Sequence, residues 1–171
     1  MNSSIRKFCE IANRPVRNII GFMSGTSREG LDIALCEISG FDKHKVVSNA
    51  FETIPYWDDF KKEVKKVFPK EQISIEKRYL LHPWIAKTLS EMILSCLKKR
   101  QLRSKGIHFL ENPGQNINPV PKKIQKYKKF PNPTIRIGNR IHFALRIGNL
   151  IISDYRQKYT AGSRESAKII C

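Results

Sequence analysis

Between Gly21 and Asp32 the chain places three glycines (Gly21, Gly25, Gly30) and three hydroxyl residues (Ser24, Thr26, Ser27). Apolar runs flank them, Ile19-Ile20 before and Leu31 with Ile33-Ala34-Leu35 after. Glycines let a backbone approach an anion closely and aim N–H groups at it, and hydroxyls add donors. The chemistry this suits is the cradling of nucleotide phosphates, with Asp32 reaching a phosphate-bound magnesium ion directly or through water. It is not the common phosphate loop. That motif requires lysine and then a hydroxyl residue after its second glycine, where Leu31 and Asp32 stand here. The same residues would also serve a tight hairpin between two core strands, and the local pattern alone leaves both readings open.

Other chemistry-bearing residues are sparse. Four cysteines, Cys9, Cys36, Cys96 and Cys171, lie far apart with no C-x-x-C pair, and the four histidines have no metal-ligand spacing with them. Reduced thiols in a cytoplasmic protein are expected. A formal net charge of +17 over 171 residues brings anionic partners into consideration. Lysine runs at Lys61-Lys62, Lys65-Lys66, Lys98-Lys99-Arg100 and Lys122 to Lys129 carry much of it. They lack the interleaved aromatics of a single-strand stacking platform, so solvated faces are the first reading and a polyanion or nucleic-acid site the alternative. No run of about 20 apolar residues exists to span a membrane.

The elements that position these residues read as α/β. Residues 1–17 form an extension before the first strand, with Pro15 as a local stop. Strands are expected at Asn18 to Met23, Leu31 to Ile38 and Val46 to Thr53, making a meander. Helices follow at Asp58 to Phe68 and Trp84 to Lys99, with Pro83 tolerated in the first turn of the second. Leu81, Ile85, Leu89, Met92 and Cys96 give that helix an apolar stripe, and Trp84 belongs at the core edge. A short buried strand at Ile107 to Leu110 precedes a long loop marked by Pro113, Pro119, Pro121, Pro131 and Pro133, a binding element or a disordered one. A strand at Thr134 to Ile137, a helix at His142 to Arg146 with His142 on its surface, and a strand at Leu150 to Ser153 complete the pattern. Meander followed by alternating helix and strand suits an RNase H-like domain, the repeat unit of actin-like kinases.

Gly21 to Asp32 resembles the opening motif of the anhydro-N-acetylmuramic acid kinase family, G-[LV]-M-S-G-T-S-x-D-G-[IV]-D. Asn112-Pro113-Gly114-Gln115-Asn116-Ile117 is similar to the family's S-H-G-Q-T-[IV], and Thr134 to Asn139 to its T-L-Q-I-G-D. Ile151 to Gly162 is similar to V-V-x-D-F-R-x-x-D-[IV]-A-x. The resemblance implies one lobe of an actin-like sugar kinase fold at residues 18–161, incomplete relative to a family member, with a divergent or truncated tail at 162–171. It implies an enzyme that uses ATP and magnesium to open the 1,6-anhydro ring and make N-acetylmuramic acid 6-phosphate in cell-wall recycling. It assigns Gly25, Thr26, Ser27, Arg28, Glu29, Gly30, Leu31 and Asp32 to the nucleotide, and Gln115, Asn116 and Asp154 to the amino sugar. No metal site belonging to the protein alone is implied.

Departures from the family pattern bear on activity. Tyr159 occupies the position of the aspartate that would activate the ring-opening water. A phenol near pKa 10 is a poor base at neutral pH, and losing a positioned base costs on the order of 10² to 10⁴ in rate. Pro113 replaces a histidine, removing a ring and a backbone donor together, and the glycine-rich continuation after Ala161 is replaced by Gly162-Ser163-Arg164-Glu165. Glu29 stands for aspartate, and Arg28 is either a phosphate partner or a surface residue. The chain is therefore expected to be catalytically impaired alone, with a second polypeptide as one means of completing it.

Overall fold

Alternation of apolar side chains sets the architecture. Ile20 and Phe22 in β1 (Val16–Ser24) and Leu31, Ile33 and Leu35 in β2 (Gly30–Ser39) are buried. Successive side chains on a strand face opposite ways, so this period of two builds one buried face. β3 (Lys45–Pro55) completes the expected antiparallel meander. The computed structural model describes residues 2–24, 29–67, 74–112, 115–119 and 134–153. In it, β4 (Phe109–Asn112) and β7 (Leu150–Ser153) extend the sheet beyond β1, in the order β3-β2-β1-β4-β7. β4 runs parallel to β1, and β7 parallel to β4. The class is α/β with a mixed sheet.

Three helices cover the buried face: α2 (Asp58–Val67), α3 (Ile75–Lys99) and α4 (Arg140–Ile147). All five residues of the expected stripe on α3 are buried, and they pack with Ile20, Phe22, Leu110 and Phe143 in one core. The Phe22 and Phe143 rings lie 5.1 Å apart, which seats α4 on β1. Trp84 sits at the core edge, stacked on Phe60 at 5.2 Å. At the far end of α3, Glu52 on β3 accepts from Lys99 Nζ at 2.7 Å and from Arg100 at 3.2 Å. The Lys99 hydrogen bond leads in holding the Glu52 carboxyl below the ordinary range.

Two local expectations, the start of α3 and the proline-marked loop, are corrected, and the amino-terminal extension proves to hold an element of its own. α3 begins at Ile75 rather than Trp84, because Ser74 caps it by accepting from the Lys77 N–H at 3.0 Å. Pro83 consequently lies inside the helix, where it removes one backbone donor but the buried stripe from Leu81 to Leu97 holds the helix on the sheet. The amino-terminal segment carries a helix, α1 (Ser3–Ala12), capped by Asn2 and seated through Ile11 and a Phe8–Phe109 ring contact of 5.9 Å. The proline-marked loop contains a strand, β5 (Gln115–Pro119), antiparallel to β6 (Thr134–Ile137) in a separate two-stranded sheet. Residues 120–133 lie outside the described residues.

Candidate functional site at the carboxyl edge of the sheet

Because β1, β4 and β7 are parallel neighbours, their carboxyl ends share one edge. Gly21 is opposite Glu111, Glu111 opposite Ile152, and Asn112 opposite Ser153. Three connections leave this edge: residues 25–29 after β1, residues 113–114 after β4, and the chain beyond Ser153. In open α/β sheets ligands sit in the crevice outside the carboxyl ends of the strands. The topology thus brings to one edge the strand ends that precede segments the sequence singles out more than 80 positions apart.

The stems of the first connection are held by Tyr56. Its hydroxyl donates to Ser24 Oγ at 2.7 Å, and its backbone N–H donates to Glu29 O at 2.8 Å. Burial pushes the phenol up to about 12, against the opposing effect of the Ser24 hydrogen bond. Tyr56 is 4% exposed and packs against Phe60, with ring centroids 4.5 Å apart and the rings tilted, so the clamp is anchored in the core. Gly30 closes the outgoing stem: a Cβ there would stand 2.6 Å from Ile54 O, a backbone atom that cannot yield cheaply. Only glycine fits that approach.

Two carboxylates flank β1 on the face opposite α2, α3 and α4. Asp32 pairs in register with Met23, and Thr53 Oγ1 donates to its Oδ1 at 2.7 Å, which orients the carboxylate and leaves acceptor capacity on it. Glu111 pairs with Gly21, and its Oε2 would lie 3.6 Å from a Cβ on that glycine. Glycine therefore leaves the space beside the Glu111 carboxylate open. Glu111 is not among the residues that the sequence motifs single out. The available signal was a carboxylate ending the short apolar strand Ile107 to Leu110, whose cross-strand neighbour is a glycine. Magnesium usually takes one or two carboxylates plus substrate phosphates and water, and Asp32 and Glu111, separated by β1, are two individual candidates for such a contact rather than a joint pair. No cluster of three candidate ligands occurs among the described residues.

Gln115 and Asn116 begin β5 just past the end of β4, opposite Ile137 and Arg136. Their hairpin is tied to α3 at His82, whose Nδ1 accepts from the Gly138 N–H at 3.2 Å and whose carbonyl accepts from the Asn139 N–H at 3.3 Å. Gly138 has φ +118°, a conformation that L side chains rarely adopt. Burial leads in lowering the His82 imidazole below its ordinary value, with Arg78, Arg140 and His142 adding to it. The fold thus gives His142 a histidine neighbour that its sequence surroundings lack. Of the residues assigned to the site, Gly25, Thr26, Ser27, Arg28 and Asp154, together with Tyr159, lie outside the described residues.

The profile of the family described as anhydro-N-acetylmuramic acid kinase matches residues 17–170. The chain is 38% identical over 170 residues to an anhydro-N-acetylmuramic acid kinase of Pseudoalteromonas translucida (strain TAC 125), covering 99% of this chain and 42% of that protein. A kinase of the same name from Pseudoalteromonas atlantica (strain T6c / ATCC BAA-1087) is 36% identical with the same coverage. One from Caldanaerobacter subterraneus subsp. tengcongensis is 28% identical over 165 residues, 96% of this chain and 42% of that protein. The chain belongs to the anhydro-N-acetylmuramic acid kinase family. It spans less than half the length of these curated relatives.

Proposed function

We propose that this chain forms the phosphate-binding lobe of an ATP- and magnesium-dependent kinase acting on 1,6-anhydro-N-acetylmuramic acid in the cytoplasm. The observation that carries this reading is the convergence of the β1, β4 and β7 carboxyl ends, each followed by a segment resembling a family motif, on one sheet edge. The strand order β3-β2-β1-β4-β7, antiparallel then parallel, supports an RNase H-like lobe of the actin-like kind at residues 18–161. In this reading residues Gly25 to Asp32 wrap the nucleotide phosphates, and Gln115, Asn116 and Asp154 belong to the sugar side.

Phosphoryl transfer rests on positioning and charge stabilisation, and bound magnesium would supply charge neutralisation on the phosphates. The chain's own contribution is to orient Asp32 through Thr53, to keep the Glu111 side of β1 unobstructed at Gly21, and to hold the loop stems at Tyr56. Ring opening is a separate requirement. With Tyr159 in place of a carboxylate base, the chain binds nucleotide but turns over the anhydro sugar poorly.

Calorimetry of magnesium-ATP binding to the purified chain tests the proposal, with Gly25→Val as the loop variant. Saturable binding lost in that variant supports it. No binding by folded protein overturns it, and sugar phosphorylation at an ordinary enzyme rate overturns the impairment.

A further inference from the structure

A second concave site lies at the opposite edge of the sheet, where α1 crosses the approach to β4. This groove, about 510 Å³, is lined by Arg6, Lys7, Glu10, Arg14, Lys105 and His108, among others. Its volume falls within the range of small-molecule sites. Four cations face one carboxylate there.

The groove also contains a conflict of donors at His108. The imidazole Nδ1 lies 2.8 Å from the Asn18 backbone N–H, and Nε2 lies 2.9 Å from the Arg14 guanidinium. A neutral imidazole has one lone pair to offer and one N–H of its own, so it cannot accept from both. The Asn18 N–H is fixed by the sheet, where the neighbouring Asn18 carbonyl accepts from the His108 N–H at 2.8 Å. Nδ1 therefore accepts, and the proton sits on Nε2. Nε2–H and the Arg14 guanidinium then point donors at each other with no acceptor between them. An anion entering from the groove resolves the conflict by accepting from both.

We propose that this groove binds the phosphate group of a small phosphorylated molecule, with Arg14 and His108 Nε2–H as its donors and Arg6, Lys7 and Lys105 as surrounding charge. Glu10 offers an acceptor to a hydroxyl on the remainder of the molecule. The site involves none of the residues assigned to the nucleotide or sugar, and it stands or falls separately from the kinase reading. The groups facing His108 agree with this: burial first, then Arg14 and Lys7, lower its imidazole below the ordinary value. A bound phosphate replaces that cationic surrounding with an anion.

The test is titration of the full chain with pyrophosphate, followed by calorimetry and by the His108 ring signals in NMR as a function of pH. The proposal predicts saturable binding and an upward movement of the His108 titration midpoint by about one unit, as an adjacent opposite charge produces. Arg14→Gln should weaken binding about tenfold or more, as loss of a charged hydrogen bond does. Glu10→Gln should tighten it, and because it replaces an exposed carboxylate on α1, it remains readable if the Arg14 variant misfolds. Gly25→Val should leave the His108 response unchanged. Unmoved His108 signals at millimolar pyrophosphate would overturn the site. A single-stranded oligonucleotide that competes with steep salt dependence would overturn the small-molecule occupant in favour of a polyanion.

Discussion

The Tyr56 hydroxyl donates to Ser24 Oγ at 2.7 Å, joining the end of β1 to the residue just past β3 across the intervening β2. With the Tyr56 N–H on Glu29 O, one residue secures both sides of the connection that the family motif occupies.

Tyr56→Phe keeps the ring packing and removes one hydrogen bond. Thermal unfolding should show a loss of about 1 kcal/mol, the usual net value of such a bond. Tyr56 is a positioning residue, so magnesium-ATP affinity measured by calorimetry should fall while the far-ultraviolet circular dichroism spectrum stays unchanged.

Alkaline stability follows from the same phenol. Its folded value, raised from 10 to about 12, favours the neutral form in the folded state. That contribution is complete below pH 10 and is lost as pH rises toward 12. At about 1.4 kcal/mol per unit, the loss amounts to roughly 2 to 3 kcal/mol. Denaturant unfolding from pH 9 to 12 should therefore fall more steeply for the parent than for Tyr56→Phe.

Gly30→Ala forces a methyl to within 2.6 Å of Ile54 O. β2 and β3 must separate locally, and a cost of about 1 to 3 kcal/mol is expected from overpacking. Unfolding midpoints in urea measure it. The comparison variant Gly21→Ala meets only an ordinary 3.6 Å contact with Glu111 and should be milder.

Acid should loosen the β5–β6 hairpin before the main sheet. His82 accepts from the Gly138 N–H through Nδ1, and its lowered folded value favours the neutral ring. The contribution is present above the unfolded value near 6.5 and is lost as pH falls through the lower folded value. Hydrogen exchange at Gly138, corrected for intrinsic rates, should show protection declining below pH 6.5, and His82→Gln should reduce it at neutral pH.

What could be read along the chain was local. β1, β2, β3 and the buried stripe from Leu81 to Cys96 follow from periods of two and of three to four, which need no knowledge of partners. α1 was hidden by Pro15, which marks a stop but says nothing of the residues before it. The start of α3 was displaced because Pro83 fits a first turn as well as a tolerated interior position, and Ser74 decides between them only through its cap. The site shows the same division. Its glycines and Asp32 form a compact string, whereas Glu111 enters through the pairing of β1 with β4 and Tyr56 through a hydrogen bond spanning 32 positions. Such non-local contacts leave no periodic trace.

The most direct test of the central claim is the backbone amide spectrum of the chain on addition of magnesium-ATP. The account predicts that the largest shifts fall at the carboxyl edge, at Ser24, Gly30, Asp32, Glu111 and Ser153, and vanish in Gly25→Val. Shifts absent from that edge, or confined to the Arg14–His108 groove at the other end of the sheet, would contradict it.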